Sequence, residues 1–180
     1  MKLKLFVIFL VAVFAITLPS KNLIAQFEAK PSPGYNSAIS VNPIALAFGQ
    51  FNATFESRMS ANNSFTVSGY YWGYSGWKAY GFGGSYRWYL KLVQDNKKPI
   101  EGLSAGPAIA IGFWNWGGVD YFGTYANGTS IAIGGEAAYK WVFDGFVVEP
   151  ILQIMFNVAS ISGLSYQPFG AGVNIGYAWK

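Results

Sequence analysis

From Phe51 onward the chain falls into short segments in which two unlike sets of residues alternate. The stretch 169–179 shows this most clearly. Phe169, Ala171, Val173, Ile175, Tyr177 and Trp179 take one parity, and Gly170, Gly172, Asn174, Gly176 and Ala178 take the other. Successive side chains of a β-strand point to opposite faces, so a period of two builds a sheet with one apolar face and one small or polar face. Charged residues make up 11% of the sequence, against about 25% in soluble domains. A sheet that turned its second face to water would need more charge than this. The apolar face is therefore expected to point outward, toward lipid.

The first residues read differently. Lys2 and Lys4 precede an apolar run from Leu5 to Leu18, broken only by Thr17, and Pro19, Ser20, Lys21 and Asn22 follow it. Basic, apolar and polar blocks in that order describe a secretory signal peptide. The run is shorter than the roughly 20 residues a helix needs to span a bilayer. Residues 1–25 are expected to be the signal peptide, cleaved near Ala25. Residues 26–37, with Pro31, Pro33 and Gly34, are expected to form a periplasmic lead-in, and residues 38–180 the barrel. Loss of Lys2, Lys4 and Lys21 takes twelve cations to nine against eight acids, a net charge of +1. That balance leaves no basic surface for nucleic acid.

No later segment has the length and apolarity of a transmembrane helix. A membrane resident of this kind has to satisfy its backbone by closing a sheet on itself. Alternation marks eight segments: Gln50 to Met59, Ser64 to Tyr74, Trp77 to Leu92, Gly102 to Phe113, Val119 to Tyr125, Thr129 to Phe143, Phe146 to Val158 and Phe169 to Trp179. The expected fold is all-β, an eight-stranded antiparallel up-and-down transmembrane β-barrel. Gly117-Gly118 with Val119 to Tyr125 is read alternatively as a long hairpin tip. Ile39 to Gly49 does not hold one parity, and Asn42 to Phe48 is read as a short periplasmic element or an extension of the first strand. Asp144-Gly145 and Ser75-Gly76 are tight-turn signals, both placed on the periplasmic side. The outer loops are then expected near 61–63, 93–100, 126–128 and 159–167. Tyr70, Tyr71, Trp72, Tyr74, Trp77 and Tyr80, with Trp114, Trp116, Tyr121 and Phe122, suit an aromatic girdle at the membrane interface.

The parity opposite the apolar one holds nearly every charge on the strands. Gln50, Asn52, Thr54, Glu56 and Arg58 share it on the first segment, and Ser85, Arg87 and Lys91 on the third. Glu136 and Lys140 share it on the sixth, and Glu149, Gln153 and Asn157 on the seventh. An eight-stranded barrel has an interior that side chains fill, so these groups are expected to meet. Glu56, Arg58, Arg87, Glu136, Lys140, Glu149 and Gln153 form the expected lumen network. Glu56 pairs with Arg87 in that scheme, and Glu136, Lys140 and Glu149 form a second group.

Little else in the sequence suits chemistry. The chain has neither cysteine nor histidine, so disulfides, thiolate metal sites and histidine-based catalysis drop out. The letters Gly102-Leu103-Ser104-Ala105-Gly106 match a nucleophile elbow, whose mechanism needs a strand-to-helix turn and a histidine base. Glu136 with Glu149 could serve as an acid pair for hydrolysis, but buried charges need partners whatever they do. No catalytic residue, metal or cofactor is expected.

Several short motifs resemble an uncharacterised family of small outer-membrane β-barrel proteins of Bacteroidetes-type bacteria, OmpA-like eight-stranded barrels. They are Val41-Asn42-Pro43-Ile44 with Phe48-Gly49, Phe55-Glu56-Ser57-Arg58, Tyr86-Arg87-Trp88-Tyr89-Leu90, Gly102 to Pro107, Gly134 to Trp141 and Asn174 to Trp179. The resemblance implies the bacterial outer membrane and the barrel fold, and brings no catalytic residues. It makes Ile175, Tyr177 and Trp179 the closing-strand signal read by the barrel-assembly machinery, although Lys180 follows where members end on an aromatic residue. The partners expected are that machinery and outer-membrane lipid, for a monomeric protein with a structural, surface-interaction or lipid-contacting role. A narrow passive channel and an enzyme acting on outer-membrane lipid are the alternatives.

Overall fold

The computed structural model describes residues 34–60, 62–74, 77–90, 100–116, 127–161 and 169–180. The expected signal peptide, the Val119 to Tyr125 segment and Lys91 lie outside them. Among these residues the strands are β1 (Ser37–Val41), β2 (Gln50–Arg58), β3 (Asn63–Tyr74), β4 (Trp77–Tyr89), β5 (Gly102–Trp116), β6 (Asn127–Phe143), β7 (Phe146–Ile161) and β8 (Phe169–Trp179), with a short helix, α1 (Pro43–Ala47). Each strand bonds to the next, and β8 returns to β1, closing an eight-stranded antiparallel barrel. Closure leaves no strand edge to template aggregation along most of the wall.

The number eight was legible, but two of its members differ. β5 bonds directly to β6, so the closed sheet has no place for a strand between them. The eighth strand is instead β1, which lies in a region whose parity breaks. The break has a local cause. Ser40 and Asn42 follow strand parity, and then Pro43 starts a helix at the position where its missing N–H costs nothing. The Asn42 side chain caps that helix by accepting from Ala45 N at 2.9 Å.

The exchange of one strand reverses part of the expected orientation. The β6–β7 turn lies at the end of the barrel where β1 starts and β8 finishes. β3 finishes and β4 starts at the opposite end. The two tight turns thus sit on opposite sides. β2 and β4 finish, and β3 and β5 start, at the end that carries the β6–β7 turn. At that turn Asp144 and Gly145 both have positive φ, 52° and 94°, the backbone a two-residue type I′ hairpin requires.

Alternation sorts the side chains as expected. Phe82, Ile109, Phe156 and Val158, each more than half exposed, stand on the outer face with Phe55, Val67, Ile133 and Leu152. The inner parity is small or polar and buried: Ser64, Ala79, Ser104, Ser130 and Ala132 are essentially closed off. At the end that holds both β1's start and β8's finish, the interior is floored by a cluster of Tyr35, Ala38, Ile100, Val142, Val147 and Ala178. Ile100 reaches it from a backbone at φ 61°, costly for a β-branched residue. Farther up, Ala108, Ala110, Ala132 and Met155 make a second apolar layer.

The aromatic cluster divides by parity. Tyr71 and Tyr80 pair across β3 and β4 and face outward, with Tyr80 stacked on Phe113 at 5.2 Å. Tyr70 has the inner parity and lies over Gly81 and Gly112, so it belongs to the lumen and not to a girdle. Tyr121 and Phe122 lie outside the described residues.

Candidate functional site

Along β6 the inner positions run Val142, Lys140, Ala138, Glu136, Gly134, Ala132, and along β7 they run Val147, Glu149, Ile151, Gln153, Met155. The charged positions on both strands thus fall between the apolar floor and the upper apolar layer. β4 contributes Ser85, Arg87 and Tyr89 at matching height, and β2 contributes Glu56. Strand alternation alone turns all of them inward.

Arg87 is the hub. Its Nε donates to Glu136 Oε1 at 2.6 Å, and its Nη1 donates to Glu56 Oε2 at 2.8 Å and to Glu149 Oε1 at 2.7 Å. The planar fork of a guanidinium suits this division among several carboxylates. Lys140 adds a second cation, bridging Glu56 and, at 3.2 Å, Glu149. Neutral donors take the remaining carboxylate lone pairs. Ser64 and Tyr89 hydroxyls both donate to Glu56 Oε1 at 2.5 Å. Ser85 donates to Glu136, whose other oxygen accepts from Gln153 at 3.0 Å. Asn174 donates to Glu149 Oε2 at 3.3 Å.

Three carboxylates and two cations therefore share one continuous network, with Glu56, Arg87 and Glu149 no more than 2% exposed. The sequence suggested two separate groups. The structure joins them, because Arg87 spans both and Lys140 turns to Glu56 and Glu149, while Glu136 is held by Arg87, Ser85 and Gln153. Removing such charges from water is costly, and only dense mutual hydrogen bonding offsets it.

Arg58 is not part of the network. It lies at the strand end, where its Nε donates to Ser60 O at 2.9 Å, because the last residue of β2 is beyond the floor of the lumen. Asn157, also expected inside, is exposed. A register shift in the β6–β7 ladder lets Ala132 face Asn157 while Ile131 faces Ala159, so the strand bends there. Tyr89, Ser64 and Asn174 were missed. All three have the inner parity, but no charge singled them out.

The features weighed for catalysis have other duties. Ser104 sits inside strand β5, buried, with its hydroxyl donating to Ala138 O at 3.4 Å. Glu136 and Glu149 are both engaged by Arg87, so neither stands ready over a cleft. Tyr177 and Trp179, with Ile175 between β1 and β7, lie on the outer parity of β8. Trp179 approaches Phe55 at a ring separation of 6.2 Å.

The sequence matches no protein-family model, and no curated protein matches it. Among solved structures, the N-terminal β-barrel domain of Pseudomonas aeruginosa OprF is similar. It is 13% identical and aligns over 82% of this chain and 100% of that one, with a TM-score of 0.49. The closed eight-strand order rests on the pairings described above, independently of that likeness.

Proposed function

We propose that this protein is an exported, monomeric barrel of the bacterial outer membrane, a non-enzymatic member of the small OmpA-like barrels. Its work is done by its lipid-facing wall and not by its lumen. The observation that carries this reading is the inversion of polarity. Large apolar side chains stand exposed outside, and Arg87, Lys140 and three glutamates are buried inside. In water that arrangement would expose an apolar surface far larger than the patches soluble monomers tolerate. In a bilayer it is the arrangement a membrane barrel requires.

The sealed interior supports a structural or lipid-contacting role over a passive channel, because the network and the apolar floor occupy the bore. The absence of histidine and the engagement of every network carboxylate weigh against an enzyme acting on lipid. We place the end that carries the β6–β7 turn, with β1's start and β8's finish, in the periplasm, and α1 on the outer side. Ile175, Tyr177 and Trp179 would serve as the signal to the assembly machinery.

Fractionation and electrophoresis test the location. The protein should enter the outer-membrane fraction and migrate faster unheated than boiled. Recovery from soluble periplasm without heat-modifiable migration contradicts the proposal. In planar bilayers the wild-type protein should show no steady conductance. Stable conductance that changes when Glu56, Arg87, Glu136 or Lys140 is removed would favour the channel.

A further inference from the structure

The barrel wall is not of one height. β1 has five residues, whereas a strand needs about nine to eleven to cross a bilayer. Its pairings end at Val41, opposite Ala53 of β2 and Ile175 of β8. Above that point the β8 edge from Phe169 to Asn174 and the β2 edge from Gln50 to Asn52 have no β1 residue between them. α1 lies over this gap, touching both β2 and β8. A helix bonds its own backbone internally and cannot complete the ladders of its neighbours. An open sheet edge at membrane depth is tolerated only where it is buried in protein or lines a polar cavity.

Two independent observations suit a gap at bilayer level that opens inward. Residues 39–55 and 169–179 contain no charged side chain, and Ile44, Leu46, Phe48 and Phe169 are all exposed. On the inner parity of β8, burial is lost above Asn174, which is buried, while Gly172 is half-buried and Gly170 is exposed. The closure over the gap is narrow. Asn42 lies so near Gly172 that a Cβ there would overlap its side-chain amide. Asn42 also caps α1 and donates its backbone N–H to Asn52 Oδ1 at 2.9 Å.

We propose that this gap is a lateral portal, with α1 as its flap and Asn42 as its latch. A single acyl chain of an uncharged amphiphile would lodge in it against the inner face of β8 at Gly170 and Gly172, without reaching Ser68 on β3. The apolar rim suits the chain, and the polar, uncharged Ser40, Asn42 and Asn52 suit a hydrogen-bonding head without charge. The portal rests on the reading of the protein as a membrane barrel. It adds a binding role to a lumen whose lower half stays sealed by the Arg87 network.

The test uses the full barrel in vesicles of phosphatidylcholine brominated on its acyl chains and doped with a brominated monoacylglycerol. Single cysteines carry a small fluorophore in this cysteine-free chain. Phe156→Cys reports the outer wall, Ser68→Cys the upper lumen behind an unbroken wall, and Gly170→Cys the lumen beside the gap. A Cβ at 170 meets only the Gln153 side chain, at 3.4 Å or more. The portal predicts strong quenching at 156, none at 68 and intermediate quenching at 170. N42A, which removes a helix cap, should raise the open-to-closed ratio about fivefold and with it the quenching at 170. N42S keeps an uncharged cap and should stay closer to wild type than N42A. Heat-modifiable migration confirms that each variant is folded.

If 156 is not quenched, the membrane reading itself fails. If 156 is quenched but 170 matches 68 in both the wild-type and N42A backgrounds, the portal alone is overturned. Quenching at 170 equal to that at 156 and insensitive to Asn42 places β8's inner face in lipid and also overturns it. Protection of 170 that grows with the protein-to-lipid ratio assigns the gap to a second copy, and overturns the acyl chain as occupant.

Discussion

Arg87 on β4 and Glu149 on β7 belong to strands that do not touch in the sheet, yet their Nη1 and Oε1 atoms meet at 2.7 Å across the lumen. The contact ties opposite walls of the barrel together, and the same guanidinium reaches Glu56 and Glu136. The interior is thus held by a crosslink that no local sequence pattern specifies.

Removing Arg87 leaves three buried carboxylates facing one lysine. Arg87→Met should destabilise the barrel by about 3–5 kcal/mol, the usual cost of breaking a buried pair from one side. Arg87→Lys should recover only part of that, since an ammonium cannot share its donors among three carboxylates in a planar fork. Urea unfolding in lipid vesicles, followed by tryptophan emission, measures both. A loss below about 1 kcal/mol for Arg87→Met would mean that the network does not lock the wall.

The three glutamates should not be equivalent. Glu56 is engaged by both cations as well as by Ser64 and Tyr89, whereas Glu136 has one cation, Ser85 and Gln153. Glu56→Gln should cost more than Glu136→Gln, by roughly 1–2 kcal/mol, because hydrogen bonds to charged groups are worth more than neutral ones. In a double-mutant cycle, Glu56→Gln with Lys140→Met should be strongly non-additive. Additive losses would contradict the shared network.

The β6–β7 turn offers a test of backbone chemistry separate from the lumen. Gly145 has φ 94°, and a Cβ there would press on the Tyr177 ring at 2.6 Å. Gly145→Ala should destabilise by about 1–3 kcal/mol. Gly145→Ala combined with Tyr177→Ala relieves the collision but not the strained φ, so part of the loss should remain. Full restoration in that double variant would make the contact, and not the backbone, the cause.

Charge placed on the outer wall should be costly in a way that depends on depth. Phe156→Arg should lose about 2–4 kcal/mol if its position is near the bilayer midplane, and less if it is near an interface. Tyr71→Arg, near the β3–β4 turn, should cost less. The comparison is made by unfolding in vesicles of two lipid thicknesses, and equal costs at both sites would contradict the assigned outer band.

The parts of this fold that could be read from sequence are those fixed by parity. Glu56, Arg87, Glu136, Lys140, Glu149 and Gln153 were placed inside because a strand leaves no other choice once its apolar face is known. Parity says which face a residue takes but not which partner it meets, so the division of carboxylates between Arg87 and Lys140 was not legible. Arg58 shares the inner parity yet escapes the network, because parity carries no information about height along the axis. β1 was hidden for a different reason. Five residues are too few to establish alternation before Pro43 changes the period from two to that of a helix. With β1 missed and a strand expected at Val119 to Tyr125, the total was still eight, but two tight turns that belong to opposite ends were expected at one.

The central claim is that the two parities of each strand meet different solvents, and β6 tests it most directly. Single cysteines at Ile133, Ala137 and Phe143 on one parity and at Ala132, Ala138 and Val142 on the other carry a fluorophore in vesicles with bromines at defined acyl depths. Quenching should alternate along the strand, strong at 133, 137 and 143 and absent at 132, 138 and 142, with the strongest signal at 133 or 137 from bromines deep in the chain. Equal quenching on both parities, or quenching confined to 132, 138 and 142, would contradict a lipid-facing apolar wall around a sealed polar lumen.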